Sequence, residues 1–197
     1  MDHPLQCRCG TIKGYVSASG LTKRAICYCR DCQAFAHFLG TPDAVLDADG
    51  GTDVVATTPG NVRFEQGIES LACMSLSPRG LLRWYARCCS TPIGNTPRDF
   101  KTSYVGLVHN CLGSAQALDA SFGRPQMKVN TKSAKRPVKS TPLVNLKAIA
   151  ALMRALIGAR LGGRYRMTPF FVPETGVPIV QPRELTEAER ERITAAL

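Results

Sequence analysis

Long apolar runs and an N-terminal export signal are both missing from this sequence. No stretch approaches the roughly 18 uninterrupted apolar residues of a membrane-spanning helix, and the first residues lack the basic and apolar regions of a secretory signal. The apolar fraction, 44%, is nevertheless that of a globular protein. We therefore expect a cytoplasmic protein with no membrane span.

Acidic residues are missing from one long segment. Residues 120–173 hold 11 lysines and arginines and no Asp or Glu, whereas residues 1–119 hold 11 lysines and arginines and 10 Asp and Glu residues. The net charge of +10 therefore lies in that segment, and an anionic partner would be drawn there. Residues 124–140 also lack aromatic side chains, so base stacking is not indicated, although contact with nucleic-acid phosphates stays an alternative.

Cysteine, in contrast, is plentiful. Nine cysteines, an odd number, in a chain without an export signal indicate thiols or metal ligands rather than disulfides. Three of them form a C-x-C-x-x-C pattern at Cys27, Cys29 and Cys32. If residues 21–29 form a strand, the first two side chains share a face and the next turn brings Cys32 to them.

Three thiols with no local fourth ligand are typical of an open metal site. Catalytic zinc sites usually have three protein ligands, whereas structural zinc sites have four. The alternative, ordinary cysteines buried in a core strand, is a poor fit to three cysteines within six residues with charged residues between them.

A second C-x-C, at Cys7 and Cys9, precedes a predicted strand over residues 11–17. Ser19-Gly20 predicts a turn that would pair this strand with residues 21–29, with one C-x-C near each outer end of the hairpin. Cys88 and Cys89 follow much later. Adjacent residues on a strand point to opposite faces, so ordinarily only one of them would join the first pair.

The body of the chain is predicted to be mainly β. Short apolar segments separated by glycine and proline predict strands over residues 52–57, 62–66, 70–76, 81–87 and 103–109. A short helix over residues 33–39, with Asp31 as its N-cap, is expected to cover the hairpin, and His37 is interpreted as a helix residue rather than a ligand. Isolated Cys73 and Cys111 are assigned packing roles.

The last third of the chain differs in kind. We divide the protein into a body over residues 1–120, a basic connector over 121–141 and a helical extension over 142–197 packed on the body. A helix from Thr141-Pro142 to Gly162-Gly163 carries an apolar stripe. The body is the default place to bury that stripe, and a partner protein or a membrane surface is the alternative.

Together these motifs form a recognisable pattern. The order C-x-C-G, C-x-C-x-x-C and a late Cys89-Ser90-Thr91 makes residues 5–110 resemble the glutathione-dependent formaldehyde-activating enzyme family, which includes centromere protein V. The resemblance implies a zinc-bearing fold of small antiparallel β-sheets, the β-tent, here with a C-terminal helical extension. This chain looks like a separate branch of that family.

The resemblance also implies two zinc sites. Cys27, Cys29 and Cys32 match the family's catalytic zinc ligands, and Cys7, Cys9 and Cys89 match ligands of its structural site. The family's late motif is C-x-x-C-G-T, and Ala86 stands where its first cysteine would be. Cys88 after a local backbone change, His3 or water would complete the second site, or that zinc is absent.

The implied activity is that of a carbon–sulfur lyase. The family adds the glutathione thiol reversibly to formaldehyde, so the expected substrates are a small thiol and an aldehyde. The alternative from a different class is a non-catalytic zinc-binding module that binds a protein or nucleic acid through its basic C-terminal segment.

Overall fold

The protein is described by a computed structural model that covers residues 2–17 and 22–197. Its strands are β1 (Asp2–Gln6), β2 (Lys13–Ser17), β3 (Lys23–Cys27), β4 (Thr52–Thr57), β5 (Val62–Gln66), β6 (Leu71–Ser75), β7 (Leu82–Ala86), β8 (Thr91–Thr96), β9 (Val105–Val108), β10 (Met127–Val129) and β11 (Arg183–Glu184). Its α-helices are α1 (Arg30–Phe38), α2 (Pro42–Val45), α3 (Ala115–Phe122), α4 (Pro142–Leu161) and α5 (Glu187–Thr194).

The strands form two sheets. The small sheet has the order β1-β2-β5, and the large sheet has the order β10-β3-β4-β9-β8-β7-β6-β11. The mainly β prediction is therefore confirmed. The expectation of small antiparallel sheets holds only for the first, because the second has eight strands and a parallel pair at each edge, β10 with β3 and β11 with β6.

The main core lies between the two sheets. Ile12 and Val62 from the small-sheet segments pack with Leu82, Trp84 and Leu107 of the large sheet, and each is at most 1% exposed. Burying several large side chains this deeply is worth about 2 kcal/mol each. Alternation along β7 therefore directs Leu82, Trp84 and Ala86 into this core and Arg83 to the other face of the large sheet.

Helix α1 covers that other face. Phe35 packs edge-on against Tyr85 of β7, and the guanidinium of Arg83 lies over the Phe35 ring at 5.4 Å. Leu185 and Ile193, before and within α5, extend the same cluster. The large sheet is thus a middle layer, with the small sheet on one face and helices on the other.

The predicted hairpin between residues 11–17 and 21–29 is wrong. β2 pairs with β1 and β5 in the small sheet, whereas β3 pairs with β4 in the large sheet. The chain changes layer between them, and the predicted turn at Ser19-Gly20 lies outside the described residues. β1 was missed because its short sequence, with His3 and Pro4, shows no strong alternation.

The C-terminal third contributes strands as well as helices. β10 lies within the predicted basic connector and extends the large sheet beside β3, and β11 extends the opposite edge. The residues after 120 therefore cover both edges of the body's sheet, which leaves neither edge strand of that body unpaired.

Helix α4 begins and ends where the sequence predicts, but its stripe is not buried on the body. Ala148 and Ala159 face inward, at 8% and 3% exposure, whereas Leu143 and Leu146 are 76% and 66% exposed. The prediction that α4 buries its apolar stripe on the body is therefore wrong. The small side chains face the body because they let the helix approach it closely, and the large ones are left outside.

Candidate metal centres

The structure brings four thiols together at one site, which we call the four-thiol cluster: Cys7, Cys9, Cys88 and Cys89. Their sulfur atoms all lie within 4.8 Å of one another. The closest pairs are Cys9 and Cys88 at 3.3 Å, Cys7 and Cys9 at 3.6 Å, and Cys88 and Cys89 at 3.8 Å. A tetrahedral metal ion with sulfur ligands at about 2.3 Å separates the sulfurs by about 3.8 Å, so the cluster can hold a metal ion.

Two tight loops build the four-thiol cluster. After β1 the chain turns back through Gly10, whose φ of 79° suits glycine and whose amide donates to the Cys7 carbonyl at 2.9 Å. The amide of Ile12 donates to the Cys7 sulfur at 3.2 Å. The second loop joins β7 to β8 and contains Cys88 and Cys89.

Cys88 is the fourth thiol of the cluster, and Ala86 contributes no ligand atom. The rule that adjacent cysteines face apart does not apply, because both lie in the turn after β7 and not on the strand. Ser90 closes that turn with a φ of 55°, in the left-handed region. His3 is not available to the cluster, because its ring nitrogens contact the Ser121 hydroxyl at 2.8 Å and the Leu112 carbonyl at 2.7 Å.

Hydroxyl groups surround the four-thiol cluster and are used within it. The Thr91 hydroxyl lies 3.0 Å from the Cys89 sulfur and accepts the Arg8 amide at 2.9 Å, and the Thr11 hydroxyl lies 3.2 Å from the Cys9 sulfur. Hydrogen bonds from Thr11 lower the pKa of Cys9 to about 6. At least one of the four thiols is therefore ionised at neutral pH.

The second site, which we call the clamp, consists of Cys27, Cys29 and Cys32. Its three sulfur atoms also lie within 4.8 Å of one another, and among the described residues no His, Asp or Glu joins them. Cys27 ends β3, and Cys29, not the predicted Asp31, is the N-cap of α1. Its sulfur accepts the Cys32 amide at 3.4 Å, so the start of the helix positions two of the three thiols.

The three thiols of the clamp differ in the direction of their pKa shifts. Hydrogen bonds from the other two thiols lower the pKa of Cys27, and an amide hydrogen bond from Asn130 at 3.4 Å adds to this. The pKa of Cys29 is raised chiefly by its bond to Cys27, and that of Cys32 is raised by both neighbours and by burial. Cys27 is therefore the thiol of the clamp that loses its proton most readily.

Asn130 reaches the clamp because the C-terminal third is part of the sheet. β10 pairs with β3 so that Val129 lies opposite Cys27, and Asn130 then adopts a left-handed φ of 56°. The Gln33 side chain donates to the carbonyls of Tyr28 and Ser133, each at 2.9 Å. These bonds hold the segment after β10 against the clamp.

A buried cation and a phenol lie beside the clamp. Arg83 is 1% exposed, donates to the Asn95 side chain at 2.9 Å, and has only a long contact, 3.5 Å, to the carboxylate of exposed Asp31. Its positive charge acts to lower the pKa of Cys32. Burial, and then the negative charge of the three thiols, raise the pKa of Tyr104 to about 12, so this hydroxyl remains protonated near the sulfurs.

One hydroxyl at the clamp has no partner. Thr52 lies directly opposite Cys27 in the β3–β4 register and is 2% exposed. Its Oγ1 is buried and finds no hydrogen-bond partner in the described part of the chain. A buried, unsatisfied hydroxyl costs about 1–3 kcal/mol, so this group is suited to bond with a molecule bound at the clamp.

The remaining predicted residues lie elsewhere. Cys73 and Cys111 are buried, at 3% and 0% exposure, and belong to neither cluster, as predicted. His37 lies in α1 outside both clusters. Arg83, Tyr104, Thr52 and Asn130 were not singled out from the sequence, although an arginine within the apolar segment over residues 81–87 was a usable signal.

Comparison with known proteins identifies a family but no activity. The sequence matches, over residues 2–181, the profile of a family of unknown function, DUF6151. No curated protein matches the sequence.

Proposed function

The chain belongs to that family of unknown function, and we propose that it is a zinc-dependent enzyme of the carbon–sulfur lyase type, adding a small thiol to an aldehyde. The observation that carries the proposal is the clamp, which has three thiols and no fourth His, Cys, Asp or Glu donor in the described residues. Three protein ligands are typical of zinc sites that do chemistry, and four of sites that support a fold.

The charge around the clamp supports zinc rather than three neutral thiols. A buried arginine needs a counter-charge, and the exposed carboxylate of Asp31 meets Arg83 only at 3.5 Å. Three thiolates around a divalent cation carry a net charge of about −1, which balances one arginine. Cys27, Cys29 and Cys32 would hold this ion, and Cys7, Cys9, Cys88 and Cys89 would hold a second, structural one.

The chemistry follows from what the surrounding residues can do. Zinc, when bound, supplies a positive charge that keeps a substrate thiol deprotonated at neutral pH. The proton of the substrate thiol passes to water, the substrate sulfur attacks the carbonyl carbon, a carbon–sulfur bond forms, and the π electron pair moves to oxygen, which takes a proton from water to give the hydroxyl group of the adduct. The protonated Tyr104 hydroxyl donates a hydrogen bond to that oxygen, and the reverse sequence releases the aldehyde.

Thr52 binds the substrate and Asn130 positions a ligand in this proposal. The unpartnered Thr52 hydroxyl bonds the bound substrate, and the Asn130 amide orients the Cys27 sulfur. The two residues lie on neighbours of β3, one on β4 and one after β10. The C-terminal third therefore completes the site and is not only an appendage.

The test is exchange of formaldehyde with glutathione and with cysteine, followed by NMR line shape against the uncatalysed rate. Wild type is expected to accelerate exchange, and Cys29→Ser to lose the acceleration. Cys73→Ser, the same change at a buried cysteine outside both clusters, is the matched control and should retain it. Metal analysis of the same samples should give two zinc ions in wild type and one in Cys29→Ser.

Two results would contradict the proposal. Acceleration that survives Cys29→Ser would remove the clamp from the reaction. Absence of turnover with every small thiol tried, in protein carrying two zinc ions and binding nucleic acid more weakly as salt rises, would favour the non-catalytic binding module.

A further inference from the structure

Helix α4 presents its large side chains to solvent and its small ones to the body. Ala148 packs with Ala25 and Met127, and Ala159 is 3% exposed. The outer face carries six large apolar side chains that are 49–84% exposed: Leu143, Leu146, Ile149, Met153, Ile157 and Leu161. A helix that only supported the body would point these side chains inward.

These six side chains form one continuous stripe. Their spacing of three or four residues places them on one face along the full 20 residues, which is a length of about 30 Å. Lys147 and Arg154 each follow a stripe residue by one position, about 100° round the helix, and therefore border the stripe. The inner face is apolar as well, because it carries alanines, so it is the exposed outer face alone that has the apolar side chains and bordering cations of a helix in the interface of a lipid bilayer.

The segment that contains the stripe carries charge of one sign. All 11 lysines and arginines of residues 120–173 are exposed, and that segment has no acidic residue. Three of them pair with carboxylates outside the segment: Arg124 with Asp119, Arg136 with Asp49, and Arg160 with Asp99. The other eight have no ion pair within the described residues, so their charge remains available to an anionic partner.

We propose that the α4 stripe and its bordering cations dock this protein on the surface of an anionic lipid membrane. An apolar stripe gains nothing from nucleic acid phosphates, and a second copy of the chain would place cations against cations. An anionic bilayer matches both features, because acyl chains receive the apolar side chains and headgroups receive the lysines and arginines.

The helix lies on the membrane in this proposal and does not cross it. By length and composition alone, α4 is the one helix in the described residues that meets the requirement for a membrane span. Its ends, however, are tied to the body. The Asn145 amide donates to the Lys128 carbonyl at 2.8 Å, and Arg160 donates to Asp99 at 3.2 Å. Docking through the exposed stripe keeps these contacts.

The test is co-sedimentation of the full chain with vesicles of phosphatidylcholine, with and without phosphatidylglycerol. Wild type should bind only the anionic vesicles, less tightly as salt rises. Leu146→Ser with Ile157→Ser should lower partitioning at least about tenfold, because these side chains supply the apolar burial. Lys147→Gln with Arg154→Gln should lower it about fivefold per cation.

Matched controls lie on other surfaces. Ile68 and Leu81 are 44% and 40% exposed, and their replacement by Ser should leave binding within about twofold of wild type. Arg63→Gln with Arg79→Gln makes the same charge change at exposed positions outside residues 120–173 and should have a similarly small effect. Thermal unfolding without vesicles should match wild type for all variants, since every replaced side chain is exposed.

Three outcomes would overturn the proposal. The first is no binding to anionic vesicles. The second is binding that the two serine substitutions leave unchanged, which would show attraction by charge alone. The third is a dimer in analytical ultracentrifugation that Leu146→Ser with Ile157→Ser dissociates, which would make the stripe a contact between copies of this chain.

Discussion

The four-thiol cluster and the clamp use the same ligand atom in opposite surroundings. At the four-thiol cluster the two threonine hydroxyls and the Ile12 amide contact sulfur, and the four thiols are enough to supply every ligand of a tetrahedral ion. The clamp offers three ligands, and a buried arginine, a protonated phenol and a hydroxyl that has no partner among the described residues lie nearby.

The difference suits the four-thiol cluster to supporting the fold and the clamp to carrying out chemistry. The four-thiol cluster joins the small sheet to the β7–β8 turn of the large sheet, so a metal ion there would hold two layers together. The clamp lies where β3 meets α1 on the helix-covered face, with its ligands on one short stretch of chain. Loss of the first should therefore damage the fold, and loss of the second should damage function.

The largest expected effect is a difference in thermal stability between a variant of the four-thiol cluster and a variant of the clamp. Cys9→Ser should abolish cooperative thermal unfolding or lower the melting temperature sharply, because a structural zinc ion contributes on the order of 10 kcal/mol in small zinc domains. Cys9 is exposed, so the serine hydroxyl adds no burial cost. Cys27→Ser should lose one zinc and all turnover while keeping the near-UV circular dichroism of wild type. Equal destabilisation by both would show that the clamp also supports the fold.

An intermediate effect concerns pH at the clamp. Metal binding must displace the protons of Cys29 and Cys32, whose pKa values are raised, but none from Cys27, whose pKa is lowered. About two protons should be released at neutral pH, so zinc affinity should rise about 100-fold per pH unit and fall equally on acidification. Competition with a chromophoric chelator at two pH values measures the slope. A slope near three would show that Cys27 is also protonated.

The smallest effect tests the unpartnered hydroxyl. Thr52→Val removes it at constant shape and should lower turnover about tenfold, about 1.4 kcal/mol, without loss of stability. Thr57→Val is the control on the same strand, because the Thr57 hydroxyl accepts the Asn61 amide at 2.8 Å. That change should lower the unfolding free energy by about 1 kcal/mol and leave turnover unchanged. Turnover of Thr52→Val equal to wild type would remove this residue from the site.

Local patterns in the sequence predicted most of the elements. β4 and β5 have the predicted bounds, and α4 ends where Gly162-Gly163 predicts. A capping box of Thr186 and Glu189, itself a local sequence signal, begins α5. β8 was missed because Pro92 and Gly94 interrupt its pattern, and the register of β7 and β8 shifts near them.

Contacts between residues that are distant in the sequence could not be predicted from such local patterns. The spacing of Cys27, Cys29 and Cys32 predicted their convergence, because all three lie in one stretch of six residues that joins the end of a strand to the start of a helix. Arg83 and Tyr104 reach the clamp from β7 and from just before β9, 50 or more positions along the chain. No local periodicity encodes which faces of distant strands meet.

The sequence alone determined the two groups of thiols, the apolar stripe of α4 and the one-signed charge of residues 120–173. Only the tertiary structure decided that Cys88 joins Cys7, Cys9 and Cys89, because a turn rather than a strand carries it. It also decided which side of α4 meets the body. The sequence contains the apolar stripe, but close packing of α4 against the sheet places its small side chains on the body and leaves the large ones exposed.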